Sequence, residues 1–183
     1  MWKIYGFRVT KKNISKGVSR GCILGKHPEH KYERVGHERT LDPLELIHID
    51  IFGPFPHISM IQSKYFLTFI DVFSRFYWVY FLKLESEFFE HFKIFKSLVE
   101  NQYGRRLKIL RYDNGGEYAN SEFIQYCKYV GIQMHHSIPY TPQQNGVAER
   151  KNRSLKEMAT CMMEAKNFPP NFWTKAIKYA SYI

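Results

Sequence analysis

Cysteine is scarce in this chain: Cys22, Cys127 and Cys161 are odd in number and far apart, which fits reduced thiols rather than a disulfide framework. Long apolar runs are also missing. Charges such as Lys83 and Glu85 interrupt them well before the roughly 18 residues a membrane span needs. The N-terminus does not combine a basic region, an apolar stretch and a small-residue cleavage site, so no secretory signal is expected. These absences point to a soluble, intracellular protein with no membrane partner. Acidic residues are few as well, 17 against 27 Lys and Arg, for a formal net charge of +10. Residues 1–40 hold ten cations against three acids, 41–100 five against eight, and 101–183 twelve against six. This balance favours a polyanionic partner, because each neutralised phosphate releases counterions.

Core material is plentiful. Apolar residues make up 44% and aromatics 17%, too many for a disordered chain, and 183 residues suffice for one domain with a real core plus a small appendage. Residues 1–40 lack apolar periodicity and read as a loop, arm or remnant. From Leu41 the pattern changes. Leu44 to Phe52 reads as a buried strand ended by Gly53-Pro54, and Tyr65 to Ile70 and Phe76 to Leu82 read as an antiparallel hairpin. Ser86 is the expected N-cap of a helix carrying Phe88, Phe92, Phe95 and Val99 at helical spacing, ended by Gly104. A strand follows over Leu107 to Tyr112, then a short helix over Ser121 to Val130 with Phe123, Ile124 and Cys127 inward, then a strand over Ile132 to His136. Two prolines, Gln143-Gln144 and Asn145-Gly146 make Ser137 to Gly146 a mobile connection. Val147 to Glu164 and Asn171 to Ile183 read as helices, the last with its apolar pattern still running at the chain end. The pattern alone gives an α/β fold with one sheet.

Three acids sit in distinctive settings. Asp50 lies within Leu46-Ile47-His48-Ile49-Asp50-Ile51-Phe52, Asp113 opens Asp113-Asn114-Gly115-Gly116-Glu117-Tyr118, and Glu149 ends Thr141-Pro142-Gln143-Gln144-Asn145-Gly146-Val147-Ala148-Glu149, with 35 residues between Asp113 and Glu149. A carboxylate within a buried strand is costly unless a partner such as a metal ion offsets its desolvation. Three carboxylates on rigid elements can hold two divalent cations about 3.5–4 Å apart, the arrangement used for in-line displacement at a phosphodiester. Helical spacing from Glu149 sets Asn152, Arg153 and Lys156 on one face, ready to hold phosphates beside such metals.

These motifs, in this order and with these flanks, resemble the integrases of Ty1/copia-type retrotransposons, in the retroviral integrase superfamily; the similarity covers roughly residues 19 to 183. The resemblance implies a ribonuclease H-like fold, a five-stranded mixed sheet flanked by helices. It implies Mg²⁺ at Asp50, Asp113 and Glu149, with Mn²⁺ able to substitute, and catalysis of 3′-end processing and strand transfer. The substrate would be double-stranded DNA, both element ends and target, with a homo-oligomer as the active form and the nucleus as its place. Asn114, Gln144, Asn145, Asn152, Arg153 and Lys156 are carried over as DNA contacts. Ser19-Arg20-Gly21-Cys22-Ile23-Leu24-Gly25-Lys26 resembles the Cys-x-x-Cys-x-x-Gly-Lys end of the family's zinc module, with Ser where the first Cys belongs and no paired histidines upstream. His27, His30 and His37 are better read as surface residues, so no structural zinc is expected. Residues 1–40 then form a degenerate basic remnant of that module, and 41–183 a catalytic core truncated at its C-terminus. Two other readings stay open: a catalytically inactive nucleic-acid-binding or assembly module, and another ribonuclease H-like nuclease, for instance one that cuts RNA in hybrids.

Overall fold

The computed structural model describes residues 40–113, 118, 120–136 and 142–183, with backbone alone for 142–145. Its centre is a sheet of β1 (Leu46–Phe52), β2 (Tyr65–Asp71), β3 (Tyr77–Leu82), β4 (Ile109–Tyr112) and β5 (Gln133–His136). The spatial order is β3-β2-β1-β4-β5. β1, β2 and β3 pair antiparallel, whereas β4 pairs parallel to β1 and β5 parallel to β4. The helices are α1 (Phe88–Tyr103), α2 (Ser121–Val130), α3 (Pro142–Ala165) and α4 (Trp173–Ala180). This mixed five-stranded sheet flanked by helices is the α/β, ribonuclease H-like architecture expected from the sequence.

Alternation along each strand splits the side chains between two faces. On one face Ile47, Ile49, Leu67, Phe69 and Leu110 meet Phe88, Phe92, Phe95 and Val99 of α1 and Phe123 and Cys127 of α2. The Phe69 and Phe95 rings lie parallel with centroids 4.0 Å apart. On the other face Phe66, with Phe52, Val79 and Phe81, meets Leu155 and Ala159 of α3 and Trp173, Ala176, Ile177 and Ala180 of α4. Trp173 stacks on Phe55 at 4.0 Å and donates from Nε1 to the His57 carbonyl at 2.9 Å. α1 and α2 stop at Gly104 and Gly131, both in the left-handed conformation that a glycine adopts without a Cβ penalty.

Several boundaries differ from the sequence pattern, for physical reasons. Leu44 has φ 64 and so cannot belong to β1; its N–H donates to Asp71 Oδ1 instead. Ser86 caps nothing. It lies inside a 3₁₀ turn, Glu85–Glu87, and polar closure at this end comes from Glu87 Oε2, which accepts the Lys83 N–H at 2.8 Å. The stretch read as a connection up to Gly146 is in fact helical from Pro142 onward. Proline suits a first helical position because its missing N–H would have no intrahelical partner there. Residues 137–141 lie outside the described residues. α4 is preceded by a 3₁₀ turn over Pro170–Phe172 and ends at Ala180 rather than running to Ile183.

Candidate active site

Asp50 sits near the C-terminal end of β1, on the face covered by α3, and is 8% exposed. Its neighbour on β2 is Thr68, paired with it in the antiparallel register. From above, Asn152 of α3 donates from Nδ2 to Asp50 Oδ2 at 2.7 Å, and the Thr68 hydroxyl donates to Asn152 Oδ1 at 3.0 Å. Thr68 Oγ1 also lies 3.3 Å from the Asp50 carbonyl oxygen. Thr68 and Asn152 are both 0% exposed. This gives Asn152 a different place from the one expected. It lies only about 60° around the helix from Glu149, yet it belongs to the buried side with Ala148, Leu155 and Ala159, and a fully buried amide presents no surface to a phosphate.

The parallel pairing of β1 with β4 sets Ile47 level with Leu110 and His48 level with Arg111. Continued by two residues, the same register sets Asp113 level with Asp50. Glu149 is exposed on α3. Among the described residues no three His, Cys, Asp or Glu side chains are grouped so as to hold a metal ion, so the three acids are not gathered into one cluster. The two aspartates nonetheless fit a hard divalent cation: they are oxygen donors, one near the end of β1 and the other just past the end of its parallel neighbour β4, and the first is buried with its carboxylate oriented by an amide. Asn114 lies outside the described residues, as do the side chains of Gln144 and Asn145 and the segment holding Ser19, Cys22, His27, His30 and His37.

Arg153 and Lys156 are exposed on α3 beside Glu149. The Lys156 ammonium is 5.3 Å from the centroid of the Phe52 ring, two residues beyond Asp50, which keeps a cation at the rim of the site. Lys151 reaches over Tyr77, 3.9 Å from its centroid, and burial pulls its pKa down. Below Asp50 on the same face lies His48, 2% exposed, with no hydrogen-bond partner for Nδ1. Burial first, then the charges of Arg111 and Arg75, push its pKa down to about 3, so the ring is neutral at physiological pH. Thr68, His48 and Arg111 were missed from sequence as neighbours of the site. The period of two that puts His48 on the face of Asp50 is a signal for one of them; a threonine within a strand carries none.

A family model described as the integrase core domain matches residues 41–142. The retrovirus-related Pol polyprotein from transposon TNT 1-94 of Nicotiana tabacum is 44% identical over 162 residues, 88% of this chain and 12% of that protein. The retrovirus-related Pol polyprotein from transposon RE2 of Arabidopsis thaliana is 38% identical over 141 residues, 77% of this chain and 10% of that protein. The chain therefore spans about a tenth of the length of these relatives. Among solved structures, a chain of the simian T-cell lymphotropic virus intasome in complex with PP2A regulatory subunit B56 gamma aligns with a TM-score of 0.63 at 23% identity, over 90% of this chain and 56% of that one. The HTLV-2 integrase catalytic core domain in complex with magnesium aligns at 0.55 and 22%, over 79% and 86%. At that identity these two speak to the fold alone, and they share it. With the motif flanks, the matching family model and the transposon relatives taken together, the chain belongs to the integrase core domain family, in its Ty1/copia retrotransposon branch.

Proposed function

We propose that this chain is the DNA-joining unit of a retrotransposon integrase, acting on double-stranded element ends and target DNA by 3′-end processing and strand transfer. The observation that supports this reading is the buried Asp50 carboxylate, oriented by Asn152 on a strand paired in parallel with β4, whose register continued by two residues brings Asp113 level with it. Asp50 and Asp113 hold the divalent cations, and Glu149 completes the set when DNA draws the start of α3 toward the sheet. Bound Mg²⁺, or Mn²⁺ in its place, supplies a lowered pKa to the attacking water and charge to the leaving oxygen. Arg153 and Lys156 hold backbone phosphates beside the acids, and Asn114, Gln144 and Asn145 line the approach. Long-range attraction of DNA comes from the basic balance of residues 101–183. The active form is a homo-oligomer working on chromosomal DNA in the nucleus.

The test is a strand-transfer and disintegration assay in Mg²⁺ or Mn²⁺, run beside Asp113→Asn and Glu149→Gln. Each amide keeps the shape and removes a charged ligand, so activity is expected to fall by at least about 10³-fold, to background. Joining by the wild type that survives both substitutions unchanged would overturn the assignment of the acids. Cleavage confined to RNA in RNA–DNA hybrids would move the chain to a hybrid-cutting nuclease.

A further inference from the structure

Thr68 stands outside every motif that marks the acids, yet its hydroxyl is the start of a directed chain of hydrogen bonds that ends on one of them. The Asp50 carboxylate only accepts, so the amide facing it at 2.7 Å must present its NH₂ group. That choice turns Asn152 Oδ1 toward Thr68, whose hydroxyl must then donate, at 3.0 Å. The other acceptor within reach, the Asp50 carbonyl oxygen, is farther at 3.3 Å. All three groups are buried, where an amide turned the wrong way would set oxygen against oxygen in a low dielectric. Thr68 is itself held: it is β-branched, sits in the middle of β2, and is locked opposite Asp50 by the strand register.

We infer that Thr68 is a positioning residue, which through Asn152 fixes the plane of the Asp50 carboxylate and seats α3 on the sheet at the height that sets Glu149, one turn earlier, relative to Asp50. Donation from Thr68 polarises the amide and strengthens its bond to the carboxylate. It also ties two points 84 residues apart in sequence. The inference rests on the metal-dependent reading of the acids, and its test is built so that the two can fail separately.

Thr68→Val keeps the shape and removes the hydroxyl; Thr68→Ser keeps the hydroxyl. The pair Thr68→Ser and Thr68→Ala repeats the comparison without the branched side chain, should Val disturb the strand. The side-chain amide resonances of Asn152 are followed by NMR on the full chain, and Mn²⁺ affinity by electron paramagnetic resonance without DNA. Expected is loss of the wild-type amide shift in Val and Ala and its retention in Ser, with Mn²⁺ binding about tenfold weaker in the first two and within about threefold in the third. Turnover follows the same order, with kcat falling and KM for DNA unchanged. Wild-type amide shifts in Thr68→Val, or equal loss of Mn²⁺ affinity in Val and Ser, would overturn the inference. Amide shifts that follow the hydroxyl in a wild type that takes up no Mn²⁺ would uphold the Thr68 link and sink the metal reading.

Discussion

The two faces of the sheet are built to different rules. Toward α1 and α2, the middle of the sheet packs rings on rings: Phe69 on Phe95, and Phe88 and Phe92 against Phe123. Toward α3 and α4, the buried polar side chains of His48, Asp50, Thr68 and Asn152 interrupt the apolar layer. Burial of apolar area drives folding on the first face. On the second, desolvation of polar groups opposes folding and is offset only where hydrogen bonds replace water. What the polar face gains is geometry, since a hydrogen-bonded amide fixes a carboxylate plane that van der Waals contact would leave free to rotate.

Acid should strike the polar face first. His48 has an unfolded pKa near 6.5 and a folded value of about 3, so between those limits the unfolded chain binds the proton and the folded one does not. Stability is then full above pH 6.5 and is lost as pH falls toward 3, by up to about 5 kcal/mol across the window. Urea unfolding at pH 7, 5.5 and 4.5 measures this, and His48→Gln should flatten the acid limb. An unchanged limb in that variant would place the sensitivity elsewhere.

The packed face should respond to volume alone. Phe95→Ala leaves a cavity beneath Phe69 and is expected to cost about 4 kcal/mol, with activity per folded molecule unchanged. Leu155→Ala, on the other side, should cost about 3 kcal/mol and also lower activity, because it loosens the helix that carries Asn152. Equal activity losses in the two would erase the distinction between the faces. The smallest stability effect belongs to the exposed cations. Arg153→Ala/Lys156→Ala should leave stability within about 0.5 kcal/mol while weakening binding to all DNA sequences alike. The dependence of affinity on salt should flatten by about one unit of slope per lost contact. Parallel slopes for wild type and variant would mean that this side of α3 does not grip phosphates.

Period and punctuation carried most of the fold. The aromatic stripe from Phe88 to Val99, the glycine that ends it, and the two aromatic runs on either side of residues 71–75 each led to the observed element, because local pattern and burial agree there. The neighbouring places of β1 and β4 in the sheet are not legible in local pattern, which carries no strand order. Asn152 was misassigned because a helical wheel separates faces by angle, and the edge of the buried sector on α3 falls between Glu149 and Asn152, a gap that depends on how the helix sits on the sheet. The start of α3 was missed because Pro142, Asn145 and Gly146 read as turn residues. Proline at a first helical position meets no clash, and the backbone of Gly146 approaches the Arg150 guanidinium so closely that a Cβ would lie 2.9 Å from it.

The α3 and α4 layer also has a meaning for synthesis. Phe52, Phe66, Val79 and Phe81 emerge from a ribosome long before Leu155, Trp173 and Ile177 exist to cover them, whereas the partners of Phe69 in α1 follow within a few dozen residues. The nascent chain therefore completes one side of the sheet early and carries the other as bare apolar surface until its last third appears. The buried acid therefore finds its setting late, because a nascent chain that has not yet made Asn152 lacks the amide that orients Asp50.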